Sequence, residues 1–197
     1  NGQSVIYIPD RVKEGYGPNV PALLGLKKIG VSLIVTVDCG TLAVDTLKVA
    51  TDAGLDIVVV DHHVAEPKIP SVSAVVNPNR LDDESNLGEL AAVGVCFLLV
   101  VAVNRVLRQA GWYKSRVEPD LMQWLDIVAL GTICDVVPLK GLNRALVFQG
   151  LRVLSNQRNL GLKALSQIIE LDEMPNSYHL GYLLGPRINA GGRVGAP

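Results

Sequence analysis

Two short runs of β-branched residues constrain this chain more than any other feature. Leu33-Ile34-Val35-Thr36-Val37 and Ile57-Val58-Val59-Val60 are separated by a segment, 42–53, whose apolar positions Leu42, Val44, Leu47, Val49 and Ala50 carry helical spacing. Strand, helix, strand at this distance predicts a βαβ unit with parallel strands and a right-handed crossover. Each run stops at an acid. Asp38-Cys39-Gly40 follows the first, and Asp61-His62-His63 follows the second. In open α/β sheets ligands bind beyond the carboxyl ends of the strands, so both acids and both imidazoles are expected on one rim. A lone Asp-His after a strand reads as a polar turn. Two consecutive imidazoles beside a second strand-end acid read as a metal-dependent active site.

The rest of the chain fits around that unit. Val5–Ile8 predicts a strand, and Asn19 caps a helix over Pro21–Ile29 that Gly30 closes. Ser73–Val76 predicts a further short strand, and the acidic stretch Arg80–Glu89 a loop. Beyond it the pattern turns helical: Leu90–Arg108, Asp120–Leu130, Asn143–Ser155, Leu162–Glu170 and Tyr178–Leu184. The fold class is therefore α/β, a parallel-sheet domain with βαβ units over 1–160, then a helical layer and connector over 161–197. The run Leu90–Val103 is too short for a membrane span and reads as a core helix. The first residues, Asn1-Gly2-Gln3-Ser4, hold no secretory leader, there is no initiator Met, and the end at Gly195-Ala196-Pro197 is a poor place to stop; the chain reads as a piece of something longer.

Composition narrows the function classes. The chain is 49% hydrophobic with mean hydropathy +0.31, which excludes wholesale disorder. A net charge of −1 supplies no global attraction for nucleic acid and leaves only a local basic groove for that role. Cys39, Cys96 and Cys134 are odd in number and widely spaced, so they form neither a disulfide framework nor a structural zinc site, and a reducing cytoplasm is the expected setting.

Asp38 and Asp61, 23 residues apart, are one crossover apart in space. Carboxylates with imidazole around two divalent ions suit a phosphoryl clamp, and such a mixed set suits Mn²⁺ better than Ca²⁺. Asp135, in the turn between Gly131 and Pro138, gains weight only beside these groups. Gly185-Pro186-Arg187-Ile188-Asn189-Ala190-Gly191-Gly192-Arg193 offers glycine backbone and two arginines, a composition that serves phosphate binding or a flexible connector equally. Tyr16, between two glycines, serves base stacking or packing equally. Trp112, Trp124, His179 and the three thiols are expected to pack rather than react.

VDCG at 37–40, DHH at 61–63, GVCF at 94–97, GTICDVVPL at 131–139 and GPRINAGGR at 185–193 together resemble the DHH phosphoesterase superfamily. Their order and spacing are similar to the RecJ family of single-strand-specific 5′→3′ DNA exonucleases, across essentially the whole chain. The resemblance implies a two-metal nuclease of DNA repair and recombination using Mn²⁺ or Mg²⁺. Asp38 would bridge the ions, His62 and Asp135 would ligate them, His63 would contact the scissile phosphate, and Asp61 would orient an imidazole or approach a metal. Arg11 and Tyr16 match a stretch that meets the nucleic-acid end; Arg187, Asn189 and Arg193 match the segment beside the active site. Single-stranded DNA would be the substrate, with single-strand-binding or helicase proteins as partners and no membrane. The family's DxDxDG motif is not in this chain, nor is its second, substrate-binding domain, so the chain alone is expected to bind metal weakly and hydrolyse little. A DHH phosphodiesterase for short oligonucleotides or cyclic dinucleotides, a pyrophosphatase, and a non-catalytic DHH-fold binding module are the competing readings.

Overall fold

The computed structural model describes residues 3–194, with side chains to residue 191. Three parallel strands, β1 (Leu33–Val37), β2 (Asp56–Val60) and β3 (Ala74–Val76), lie in the order β1-β2-β3. The register aligns Val37 with Val60 and Val60 with Val76, so the three strands end level. Helix α1 (Val20–Lys28) precedes β1, and α2 (Val44–Asp52) makes the crossover to β2. Asn19 caps α1 by accepting from the Ala22 N–H at 2.9 Å. Gly30, at φ 92°, ends it.

One face of the sheet packs against α1 and α2 through Leu23, Ile34, Leu47, Leu55, Ile57 and Val59. On the other side Val60 joins Leu90, Val95, Leu125, Val128 and Leu146. These come from α3 (Ala92–Gln109), α4 (Leu125–Cys134), α5 (Gly141–Ser155) and the loop before α3. A third cluster, with Leu130, Val147, Leu154, Leu162, Leu180 and Leu184, ties α4 and α5 to α6 (Leu160–Ile168) and to a π-helical turn, His179–Leu184. Each fully buried Leu or Ile contributes about 1.5–3 kcal/mol. Helices α4 and α5 touch backbone to backbone at Gly150, where a Cβ would collide with the Leu125 carbonyl oxygen.

Several expectations are corrected. Val5–Ile8 is extended but belongs to no sheet, because no described strand lies alongside to accept its hydrogen bonds; its side chains are exposed. β1 is not covered on both faces: Leu33, Val35 and Val37 face an open groove of about 640 Å³ that Val5 and Tyr7 also line. Gly131 lies inside α4, not in a turn, and packs where any side chain would strike Val93. α3 lies within two residues of the expected helix Leu90–Arg108, and what changes is that by length and composition alone it is long enough to cross a membrane, which the apolar run by itself was not. Its first turns are buried in the core, and its last carries Arg108 paired with Glu118. Finally, 185–194 is not a glycine loop but α7 (Gly185–Val194), continuous with the π-helical turn. Its backbone N–H groups past the first turn are spent within the helix and do not form a phosphate-binding nest.

Candidate metal centre

Asp38, Asp61 and Asn77 each stand one residue beyond a strand end. The Asp38 N–H donates to the Val60 carbonyl at 2.9 Å and that of Asp61 to the Val76 carbonyl at 3.0 Å, extending the ladder to the rim. The chain then turns sharply. Asp38 has φ 59°, a left-handed conformation that aspartate tolerates better than most residues. Gly40 follows at φ 115°, with so little room that a Cβ would lie 2.8 Å from the Thr36 hydroxyl oxygen.

Asp61 is 2% exposed and works entirely as an acceptor. One oxygen takes the N–H groups of His62 (2.8 Å) and His63 (3.2 Å) and contacts His63 Nδ1 at 2.6 Å; the other takes the Thr41 N–H at 3.0 Å. Burial works to raise its pKa, but the hydrogen bonds from Thr41 and His63 outweigh it and hold Asp61 lowered to about 2. An ionised acceptor at this distance puts the His63 proton on Nδ1 and leaves Nε2 free. The same device recurs at His62, whose Nδ1 lies 3.0 Å from the Leu90 carbonyl. Both imidazoles are thus anchored through Nδ1, which leaves Nε2 for another partner, the orientation that metal-binding histidines adopt.

The free Nε2 of His62 meets two carboxylates, Asp38 Oδ1 at 3.3 Å and Asp135 Oδ2 at 3.4 Å. Ligand atoms of Asp38, His62 and His63 all lie within 4.8 Å of one another. With His62 Nδ1 donating to the Leu90 carbonyl, Nε2 and two carboxylates converge on one point, a donor set that suits a bound divalent cation. No Lys or Arg among the described residues forms an ion pair with Asp38, Asp61 or Asp135. Burial, and then the Asp135 charge, raise the Asp38 pKa, which records the same crowding of negative charge. Oxygen and imidazole donors around this point fit Mn²⁺ or Mg²⁺. The adjoining thiols do not join the set. Burial first, then nearby acids, push Cys39 and Cys96 up to about 11, so both stay protonated at neutral pH, and Cys134 is raised for the same reasons.

The other expected residues divide. Tyr16 reaches the centre: its hydroxyl donates to the Asp38 carbonyl, and its ring meets His63 edge-on at 6.1 Å. Arg11 lies over the Tyr16 ring, 5.6 Å from its centroid. Arg187 and Asn189 are exposed on α7; Arg187 donates to the Leu183 carbonyl at 2.8 Å, and neither residue bonds to the metal-ligand cluster. The side chain of Arg193 lies outside the described residues. Their helix nevertheless abuts the centre's framework, since Gly185 packs so closely on Cys134, the residue before Asp135, that a Cβ would come within 2.4 Å of its sulfur.

Three supporting residues escaped sequence reasoning. Asn77 donates to the Thr41 hydroxyl at 2.9 Å and the His63 carbonyl at 2.8 Å, and Asn79 to the His62 carbonyl at 2.6 Å and the Gly88 carbonyl at 2.9 Å. Asn77's place just beyond the third strand was the available signal. Asn143, 2% exposed at the start of α5, donates to the carbonyls of Glu89 (2.6 Å) and Pro138 (3.0 Å). It thereby joins the loop whose next carbonyl holds His62 to the loop that follows Asp135. No pattern in the sequence marks it. Val136, beside Asp135, holds φ 58°, a strained state for a β-branched residue.

With this geometry in place, comparison with known proteins is informative. Residues 1–132 match the family described as DHH family, N-terminal domain. The chain is 40% identical over 191 residues to the single-stranded-DNA-specific exonuclease RecJ of Salmonella typhimurium, covering 95% of this chain and 33% of that protein. It is 42% identical over 195 residues to that of Bacillus subtilis, covering 98% and 23%. Among solved structures it resembles an exonuclease RecJ bound to manganese, with a TM-score of 0.80 and 31% identity, covering 96% of this chain and 45% of that one. The chain spans about a third or less of the curated relatives' length. By its match over most of its residues and by the DHH triplet at its strand end, the chain belongs to the DHH family.

Proposed function

We propose that this chain is the metal-binding core of a single-strand-specific DNA exonuclease that hydrolyses phosphodiester bonds from the 5′ end. The observation that carries the reading is the convergence of Asp38 and Asp135 on Nε2 of His62. Asp38, His62 and Asp135 hold divalent cations, Mn²⁺ or Mg²⁺, two in the full-length protein. When bound, such ions supply Lewis-acid activation of water and neutralise charge at the phosphodiester. The chain's own residues position and orient. Asp61 anchors the His63 ring through Nδ1 so that Nε2 faces the scissile phosphate; in its protonated form that Nε2–H donates to a phosphate oxygen and can pass its proton to the leaving oxygen. Tyr16 fixes the Asp38 backbone and, with Arg11, faces the nucleic-acid end. Arg187, Asn189 and Arg193 contact the strand from α7.

The division at residue 160 into a DHH domain and a connector toward a substrate-binding domain is part of this reading. So are single-strand-binding or helicase proteins as partners. A cytoplasmic setting agrees with three unpaired cysteines. Further carboxylate ligands come from upstream, and the open groove along β1 has room for the strand that would carry them. The chain by itself therefore binds metal weakly and turns over little.

The test is hydrolysis by the full-length protein in Mn²⁺, on single strands labelled at either end, on matching duplex and on a dinucleotide. Stepwise loss from the 5′ end of the single strand, abolished by chelator and by Asp38→Ala, is expected. Preference for the dinucleotide would favour a short-oligonucleotide phosphodiesterase, and turnover surviving Asp38→Ala would remove Asp38 from the centre.

A further inference from the structure

Helix α5 has two unlike sides. Its buried side, Asn143, Leu146, Val147, Gly150 and Leu154, packs into the core. The opposite side presents Arg144, Phe148 and Arg152 at successive four-residue intervals, all exposed, Phe148 at 61%. The helix contains no acid, and neither arginine forms an ion pair among the described residues. Residues four apart on a helix are about 6 Å apart, so the stripe is a line of cation, ring, cation about 12 Å long. The stripe sets an exposed phenylalanine between two guanidinium groups that have no acidic partner among the described residues. It suits a strand of alternating phosphates and bases, since rings accept any base and arginines accept any phosphate.

The same helix starts on the framework of the metal centre. Asn143, next to Arg144 in sequence but on the buried side, is bonded to Glu89, the residue before the Leu90 carbonyl that holds His62, and to Pro138 in the loop after Asp135.

We infer that the solvent face of α5 is a single-stranded nucleic-acid track, with Arg144 and Arg152 on phosphates and Phe148 on a base. The inference rests on the nuclease reading and names a surface that its substrate follows. Phe148 favours nucleic acid over an acidic protein surface, which offers carboxylates but no flat partner for the ring.

The test is anisotropy of a labelled phosphorothioate single strand with the full-length protein in Mn²⁺, across a salt series. Arg144→Gln/Arg152→Gln should flatten the log–log salt dependence by about 1.4 units, at about 0.7 per phosphate contact on single strands. Phe148→Leu should weaken binding about tenfold on a normal strand and leave binding of an abasic strand unchanged. Melting curves for all variants should match wild type, since the three side chains are exposed. If wild type binds with a steep slope and both variants retain its slope and affinity, the track is refuted while the nuclease reading stands. If the variants lose only the binding of an acidic peptide, the face belongs to a protein partner and the track is equally refuted. If wild type neither binds nor cleaves single strands, the nuclease reading itself fails and takes the track with it.

Discussion

Asp61→Asn is the substitution with the most to teach, because it changes one atom and conserves shape. Asp61 accepts from three backbone N–H groups and from His63 Nδ1. Its pKa, lowered to about 2 from the ordinary 3.8, corresponds to a preference of roughly 2 kcal/mol for the carboxylate over the neutral acid. An amide carries one acceptor oxygen. If that oxygen stays on the histidine side, the new NH₂ points at the Thr41 N–H, which leaves a buried donor unpaired at a cost of about 1–3 kcal/mol. The total loss should be about 3 kcal/mol. With a slope of about 2 kcal/mol per molar urea, the unfolding midpoint should fall by roughly 1.5 M in metal-free buffer. The pH dependence fixes the cause. A lowered carboxyl pKa contributes stability that is present above about pH 4 and is lost as pH falls toward 2, whereas the amide does not titrate. The gap between wild type and variant should therefore narrow by roughly 2 kcal/mol across that window. A midpoint within 0.3 M of wild type (about 0.6 kcal/mol), or a gap independent of pH, would refute the hydrogen-bond account of Asp61.

Two further substitutions probe groups that the centre leans on. Asn143→Leu removes both loop-joining bonds while also removing an unpaired buried oxygen, so it should cost about 2 kcal/mol by urea unfolding and lower Mn²⁺ affinity about tenfold by calorimetry, through the Leu90 carbonyl that orients His62. Unchanged Mn²⁺ affinity would leave Asn143 a purely structural residue. Val136→Asn puts a residue tolerant of left-handed backbone where an 87% exposed valine now sits at φ 58°, and should raise stability by about 1 kcal/mol. A loss of stability would mean the valine is not strained.

What was legible in the sequence is what local physics determines. β1 appeared where the β-branched run predicted it, and β2 begins only one residue before its run, because strands with buried faces must be apolar and stop where polarity begins. The α1 cap was legible because Asn19 satisfies free N–H groups from its own side chain. The rim position of Asp38, His62 and His63 followed from the same logic. Val5–Ile8 failed because a strand needs a partner, which propensity cannot supply. The glycine-rich 185–193 failed in the other direction: helix packing against Cys134 demands glycine at 185, which reads as a loop signal in isolation. Asn77, Asn79 and Asn143 stayed hidden because their roles depend on carbonyls brought from elsewhere by the fold, Glu89 lying 54 residues from Asn143.

The central claim is that Asp38 and Asp135 share a cation with the Nε2 of His62. The most direct measurement is electron spin-echo modulation of Mn²⁺ bound to the chain labelled with ¹⁵N-histidine. Coupling to imidazole nitrogen is predicted, lost in His62→Gln. Coupling that survives this substitution, or none in wild type under saturating Mn²⁺, would contradict it.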